Sequence, residues 1–197
     1  TYIRKDIRDL AEIKDVIKFN RLLEILASQS GNLLNISELS NTCSLSRETV
    51  ERYLFLLEQT YILRLVHPFS KNLRSELTKT PKIFFYDTGL MQMLWLKQLQ
   101  REIIGTVFET SVFSELIKQH AKENILFWRT QDKKEIDFIL RLGKNLIPIE
   151  AKLSFPRNTP ANIHSWNQTY QTKKYFVVGL HGVPTDSGFI YPWQLSD

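Results

Sequence analysis

The amino-acid sequence predicts a mixed α/β (α+β) fold in two parts, a helical part followed by a part built on a β-sheet. Apolar residues recur at helical spacing through most of the first 60 residues. After about residue 124, short apolar strands alternate with helical patterns. We therefore predict a helical region over residues 1–78, a connecting strand and helix over 79–104, and a sheet domain over 105–197.

The composition is that of a globular protein, with 43% apolar and 24% charged residues, and no apolar run approaches the ~20 residues of a membrane helix. The net charge of +5 favours attraction to a polyanion, although scattered lysines and arginines fit a mixed solvated surface equally well. One cysteine, Cys43, excludes a disulfide framework and fits a cytoplasmic protein. The chain starts at Thr1 without an initiator Met or a signal segment, which predicts a fragment of a longer protein.

The helical part has the element order of a winged helix-turn-helix. The pattern predicts helix, short helix, turn, helix, strand and wing over about residues 16–26, 36–39, 42–45, 46–57, 61–67 and 68–77. Ser46 is predicted to be the N-cap of the third helix. In this hypothesis the third helix enters a DNA major groove and presents Arg47 and Arg52. The alternative is a small helical domain that packs against a neighbour in the same protein, since this helix also carries glutamates.

The second part contains a hairpin whose register follows from its sequence. The predicted elements are a helix, three strands, a helix and a strand, over about 106–122, 125–130, 134–142, 145–152, 160–171 and 174–180. If Gly143 and Lys144 form a two-residue turn, paired positions on the second and third strands sum to 287. One face of the hairpin is then apolar and consists of the pairs Phe138–Ile149, Leu140–Ile147 and Ile136–Ala151.

On the opposite face, the same register brings two carboxylates together. Asp137 lies across from Glu150, and Glu135 lies across from Lys152. Opposed carboxylates repel and need a compensating cation, and Mg²⁺ commonly uses one or two carboxylates plus waters. We therefore predict Asp137 and Glu150 as metal ligands, with Lys152 stabilising negative charge or orienting a water. The alternative is a surface ion-pair ladder in which Lys152 neutralises both Glu135 and Glu150.

A third carboxylate is predicted to come from the preceding helix. Glu109 lies on the apolar face of that helix, and a carboxylate directed towards a core seldom goes unpaired. We therefore expect Glu109 to reach the rim of the Asp137 and Glu150 face. The alternative is a helix-end residue that extends to solvent, and Glu115 is the weaker choice on the same helix.

These residues resemble a known nuclease superfamily. Asp137, twelve intervening residues and Glu150-Ala151-Lys152, after a helix bearing Glu109, are similar to the PD-(D/E)xK motif of restriction endonucleases and Holliday-junction resolvases. The resemblance implies a restriction-endonuclease-like αβββαβ domain. It also implies that Asp137 and Glu150 hold the metal, Lys152 assists the attacking water and Glu109 supports the site. The usual proline before the first acid is replaced here by an isoleucine.

The whole chain resembles a narrower group, prokaryotic ATPases of the AAA+ superfamily that end in a domain of unknown function. The segments that carry this resemblance include Tyr2-Ile-Arg-Lys-Asp-Ile, Pro81-Lys-Ile-Phe-Phe-Tyr-Asp-Thr-Gly-Leu90, Phe108-Glu109, Glu135-Ile-Asp-Phe138 and Pro148-Ile-Glu-Ala-Lys152. The resemblance implies that an ATPase domain of the same full-length protein is the partner of this chain. No G-x-x-x-x-G-K-[ST] loop occurs in this sequence, so the nucleotide site would lie elsewhere in the full-length protein.

Three hypotheses of function follow. The first is a Mg²⁺-dependent phosphodiesterase that cleaves DNA. The second is a catalytically inactive, DNA-binding module that regulates the attached ATPase, and the third is a partner-docking domain. Under the first two hypotheses, the predicted DNA contacts are Arg47, Arg52, Arg129 and Gln131.

Overall fold

Six α-helices and seven β-strands form the part of the chain that the computed structural model describes, which is residue 13 and residues 15–70, 80–130 and 132–195. The helices are α1 (Val16–Ser28), α2 (Ile36–Cys43), α3 (Arg47–Gln59), α4 (Thr88–Trp95), α5 (Gly105–Gln119) and α6 (Ala161–Tyr170). The strands are β1 (Leu63–Val66), β2 (Lys82–Phe85), β3 (Ile125–Arg129), β4 (Glu135–Leu142), β5 (Asn145–Ser154), β6 (Phe176–His181) and β7 (Phe189–Ile190). The predicted mixed α/β class is confirmed. Most of the predicted wing and Gln131 lie outside the described residues.

The first three helices begin where the sequence provides a polar N-cap. The side chains of Asp15, Asn35 and Ser46 each accept a hydrogen bond from the backbone amide three residues ahead, which satisfies a donor that the helix itself leaves open. The predicted N-cap at Ser46 is confirmed. Apolar residues of α1 to α4 then pack with β1 and β2 into one core.

The β1–β2 hairpin connects this helical core to the rest of the molecule. Phe84 on β2 is fully buried in a second core, where its ring lies 5.0 Å from that of Phe113 on α5 and 5.1 Å from that of Phe138 on β4. Just beyond β1, the Phe69 amide donates to the Phe127 carbonyl at 2.6 Å, and the Phe127 amide donates to the His67 carbonyl at 3.2 Å. The hairpin and the larger sheet therefore share both side-chain packing and backbone hydrogen bonds.

The larger sheet has five strands in the order β3-β4-β5-β6-β7. The first three strands are antiparallel, and β5, β6 and β7 run parallel, with α6 connecting β5 to β6. Helix α5 packs on one face of the sheet, and α6 packs on the other through Ile163 and Trp166. The predicted order of helix, three strands, helix and strand is confirmed, with β7 as an addition.

The predicted hairpin register is confirmed over its outer part. Phe138 pairs with Ile149 and Leu140 pairs with Ile147, and all five recorded pairs sum to 287. Gly143 adopts φ +62° in the two-residue turn, which is a conformation that glycine allows without strain. The turn and the alternation of apolar residues therefore determine this register together.

The predicted face of Ile136 is wrong. Ile136 packs with Trp128 and Ile139 on the α6 side of the sheet, whereas Phe138 packs on the α5 side. The cause is a change of register between β3 and β4 at Leu126 and Trp128, which places one extra residue in β4. A β-bulge turns the strand over, so the residues before it change face.

Gly179 on β6 provides a test of how tightly the sheet is covered. A Cβ at this position would lie 2.5 Å from two ring carbons of Phe155, and that ring stacks on Phe189 at 5.8 Å. We expect Gly179→Ala to lower the free energy of unfolding by about 1–3 kcal/mol because the ring must move. Urea unfolding measures this change. Gly105→Ala is the control, since no atom lies within 4 Å of the added methyl. An equal loss in both variants would contradict the prediction.

Candidate functional site

Asp137 and Glu150 lie on the neighbouring strands β4 and β5. Glu150 is buried, with 4% of its surface exposed, and Asp137 is half-buried. The recorded backbone pairing between these strands ends at Phe138–Ile149. Beyond that pair, the Ala151 amide donates to Oδ2 of Asp137 at 2.9 Å, so that the carboxylate of Asp137 reaches across to β5.

The two carboxylate oxygens of Glu150 have different environments. Lys152 Nζ donates to Oε1 at 2.6 Å, and this lysine is itself partly exposed. Oε2 is buried and, among the described residues, accepts no hydrogen bond of ordinary geometry, although the Asn162 side chain lies close enough to lower the pKa of Glu150. Burying a carboxylate oxygen without a partner costs free energy, and a cation bound next to this atom would stabilise the carboxylate.

The pKa values of these acids report the same lack of compensation. Burial, reinforced by the charge of Asp137, raises the pKa of Glu150 to about 7, against the opposing effect of Lys152. Burial also raises the pKa of Asp137, although Lys82, the Ala151 amide and Lys152 act to lower it. The local positive charges therefore do not fully balance the buried carboxylates.

Glu109 on α5 lies at the contact between the helical part and the sheet. Its Oε2 atom lies against Gly31, where a Cβ atom added to the glycine would be 3.2 Å from Oε2. Gly31 also adopts φ +82°, a conformation that favours glycine. Burial and the charge of Asp137 raise the pKa of Glu109 to about 7, against the opposing charge of Lys82. Glu109 is therefore directed towards the Asp137 side of the sheet and away from open solvent.

Lys82 is a residue of this site that the sequence analysis missed. It begins β2, only 2% of its surface is exposed, and its Nζ lies 3.2 Å from Glu109 Oε1 and 2.6 Å from Glu135 Oε1. Although burial lowers it, the charges of Glu109, Asp137 and Glu135 raise the pKa of Lys82 above its ordinary value. The available signal was a lysine at the start of an otherwise apolar strand, because a buried lysine requires a carboxylate partner.

Glu135 is paired differently from the predicted ladder. Arg129 Nη1 lies 2.7 Å from Glu135 Oε2, so Glu135 lies between Arg129 and Lys82. Lys152 contacts Glu150 and not Glu135 in the recorded ion pairs of the described chain. The ion pair predicted between Glu135 and Lys152 is therefore wrong for the described residues, whose backbone pairing between β4 and β5 is recorded only from Phe138–Ile149 outward. Arg129, predicted to contact phosphate, is engaged with Glu135.

Arg47 and Arg52 lie apart from these acids on α3, and both are exposed. The Arg47 guanidinium donates to the Ser37 hydroxyl, and the Arg52 guanidinium lies 5.4 Å from the centre of the Tyr53 ring. Both side chains remain accessible to a ligand at this helix.

The donor set for a metal is small. Within residues 15–70, 80–130 and 132–195, no group of three or more His, Cys, Asp or Glu side chains is arranged to hold a metal ion. Asp137 and Glu150 together offer two carboxylates, which is a set that Mg²⁺ commonly completes with waters, and the unpartnered Oε2 of Glu150 fits this requirement. In the same described ranges, no helix is long and apolar enough to cross a membrane.

Two families of unknown function match the chain. A domain of unknown function, DUF8612, matches residues 1–102, and a second one, DUF4143, matches residues 104–195. An uncharacterized protein of Haemophilus influenzae is 26% identical over 196 residues, which cover 93% of this chain and 46% of that protein. An uncharacterized protein of Mycobacterium tuberculosis is 26% identical over 157 residues, which cover 77% of this chain and 36% of that protein. The chain therefore spans less than half the length of these curated relatives.

Among solved structures, the crystal structure of protein VC1899 from Vibrio cholerae is similar to this chain, and the alignment covers 91% of this chain and 54% of the VC1899 chain. The TM-score is 0.29 and the sequence identity is 12%. A similarity at this level carries no argument about the fold or the function.

Proposed function

The chain belongs to the family of the domain of unknown function DUF8612, and we propose that it is part of a metal-dependent DNA phosphodiesterase. The observation that carries this proposal is the buried, unpartnered Oε2 of Glu150 next to the carboxylate of Asp137. We further propose that residues 1–78 form a winged helix-turn-helix and residues 105–197 a restriction-endonuclease-like domain. The order of α5, β3, β4, β5, α6 and β6 supports the second assignment.

In this proposal, Asp137 and Glu150 hold the divalent cation. The Ala151 amide fixes the Asp137 carboxylate, and Lys152 fixes that of Glu150. A bound Mg²⁺ would polarise a phosphoryl oxygen and lower the pKa of a coordinated water. Lys152 keeps a partly exposed ammonium next to Glu150, where it would stabilise negative charge on the phosphate. Glu109 supports the site through Lys82 and does not contact the substrate.

Positive surface charge supports a nucleic acid as the substrate. A cavity of about 520 Å³ lies between the β4–β5 turn and the end of α6, and the side chains around it include Lys144, Lys173 and Lys174 but not those of the proposed catalytic residues. No acidic side chain lines it among the described residues. Lysines at such positions neutralise backbone phosphates without reading sequence. Arg47 and Arg52 on α3 would supply the base contacts.

The full-length protein is proposed to contain an ATPase domain outside this chain. The basis is the resemblance to AAA+ proteins and the length of the relatives, of which this chain covers less than half. In such a protein, the ATPase would act on the same DNA that the region described here binds.

A cleavage assay tests the proposed activity. With Mg²⁺ or Mn²⁺ and a panel of single-stranded, duplex and branched DNA, Asp137→Ala and Lys152→Ala are each expected to slow cleavage by roughly 100-fold or more. Glu115→Ala is the matched control, because Glu115 forms only a surface ion pair with Lys118 on α5. Cleavage that persists in both site variants would end the assignment of the site.

A second candidate function is a catalytically inactive module that binds DNA or a partner protein and regulates the attached ATPase. Lys82 favours it, because this ammonium already neutralises part of the acid cluster. Absence of cleavage together with DNA binding that weakens steeply with salt would support this candidate. Absence of DNA binding at any salt concentration would support docking of a protein.

A further inference from the structure

The acidic cluster formed by Glu109, Glu135, Asp137 and Glu150 has two ends. At one end, Glu150 is held by Lys152 and keeps a buried oxygen without a partner among the described residues. At the other end, Lys82 Nζ lies between Glu109 and Glu135, at 3.2 Å and 2.6 Å. The charge of Asp137 acts on the groups at both ends. The first end has an open position for a cation, and the second end already contains one.

Lys82 cannot leave its position without opening the core. Its surface is 2% exposed, and its ammonium lies 5.7 Å from the centre of the Phe127 ring. Two residues further along β2, Phe84 is packed between Phe113 and Phe138. The ammonium is therefore a fixed part of the cluster and does not act as a mobile gate.

The charges agree with this arrangement. The cluster contains four carboxylates and three cationic side chains, namely Lys82, Lys152 and Arg129, so its formal charge is −1 when all are ionised. One divalent cation at the Glu150 end would bring the formal charge of the cluster to +1, and a second would bring it to +3. A second divalent cation would add two further positive charges next to a buried ammonium, which electrostatic repulsion opposes strongly.

We propose that the Lys82 ammonium permanently fills the second of two cation positions, so that the site binds one divalent cation and not two. The inference rests on the proposed cation site at Asp137 and Glu150, and it deepens that proposal by setting its stoichiometry. Lys82 is thus a specificity-determining residue contributed by β2, which precedes the sheet domain in the chain. It replaces a second metal with a covalently attached charge.

The test counts bound Mn²⁺ by equilibrium dialysis of the chelator-treated, DNA-free protein. The unchanged protein is expected to bind one Mn²⁺. Lys82→Ala vacates the position between Glu109 and Glu135 and is expected to bind two. Lys82→Met removes the charge but keeps the bulk, so it is expected to bind one Mn²⁺ with at least about tenfold higher affinity. Lys82→Arg keeps the charge and is expected to bind one with unchanged affinity.

The outcomes separate this inference from the proposed function. Two Mn²⁺ ions in the unchanged protein would overturn the inference, as would one Mn²⁺ of equal affinity in both the unchanged protein and Lys82→Ala. No Mn²⁺ in the unchanged protein but one in Lys82→Ala would refute the proposed cation site and leave the role of Lys82 intact. No Mn²⁺ in either protein would overturn both.

A second variant covers the case in which Lys82→Ala does not fold. Glu109→Gln removes a partner of Lys82 but leaves Asp137, Glu150 and the ammonium in place. The inference expects this variant still to bind one Mn²⁺, with a lower affinity because the cluster has lost one negative charge. Loss of Mn²⁺ binding in Glu109→Gln, with a normal melting transition, would mean that Glu109 holds the cation itself and would overturn the inference.

Discussion

Raising the pH from 5 to 8 in the presence of a chelator is expected to lower the free energy of unfolding by several kcal/mol. Burial raises the pKa values of Glu109 and Glu150 from 4.5 in the unfolded chain to about 7 in the folded protein. Between these values the folded state binds more protons than the unfolded state, so stability falls as the pH rises. The contribution is fully present below pH 4.5 and is lost as the pH passes about 7. Each group contributes up to about 3 kcal/mol.

Urea unfolding at fixed pH values measures this effect. Glu109→Gln is expected to weaken the pH dependence, because the amide cannot ionise, and the raised pKa values of Glu150 and Asp137 account for the remainder. Glu115→Gln is the matched control on the same helix. Glu115 forms a surface ion pair with Lys118, so its substitution leaves the acidic cluster unchanged. A stability that rises between pH 5 and pH 8 would contradict the predicted burial of the two carboxylates.

Divalent cations should counteract this loss if the proposed site exists. Binding to the folded state alone stabilises the protein by mass action, and the ionised carboxylates that bind the cation predominate above pH 7. Saturating Mn²⁺ at pH 8 is therefore expected to restore most of the stability that the pH increase removes.

Replacing Phe84 with alanine is expected to lower the free energy of unfolding by about 3–5 kcal/mol. Its ring is fully buried between Phe113 and Phe138, so truncation leaves a cavity where β2, α5 and β4 meet. Phe55→Ala is the control, because 61% of Phe55 is exposed and a surface substitution changes stability by ~0.5 kcal/mol or less.

Thermal or urea unfolding measures both variants under the same conditions. A loss below ~1 kcal/mol in Phe84→Ala would mean that β2 does not pack into the second core as described. Lower protection of amide hydrogens on both β2 and α5, in comparison with Phe55→Ala, would locate the loss at this contact.

The features that could be predicted from the sequence are those with a local or periodic cause. The N-cap at Ser46 follows from its hydroxyl group, which accepts a hydrogen bond from the backbone amide three residues ahead. The hairpin register follows from the glycine turn at Gly143 and from the alternation of apolar and polar residues, since a shift by one residue would bury charges. That register is recorded only from Phe138–Ile149 outward, and Asp137 is held to β5 by the hydrogen bond from the Ala151 amide to its carboxylate.

The features that could not be predicted depend on contacts distant in sequence. The bulge at the start of β4 follows from pairing with β3, and it moves Ile136 away from its expected partner. Lys82 lies 53 positions before Glu135, and only the packing of β2 against the sheet brings the two side chains together. The alternation of apolar and polar residues along a strand contains no information about the bulge or about the contact between Lys82 and Glu135.

Hydrogen bonds join the segment at His67–Phe69 to β3. Separating the first half of the chain from the second would therefore expose the backbone groups of β3. In the larger sheet, β3 is an outer strand, and an outer strand with open backbone groups is a template for unwanted association. Here a segment from the first half protects that edge, and Phe84 from the same half covers Phe113 and Phe138. The change of family between residues 102 and 104 is thus a boundary of sequence similarity that the folded chain crosses. The first half therefore covers a strand edge and two aromatic rings that the second half would expose if it were produced alone.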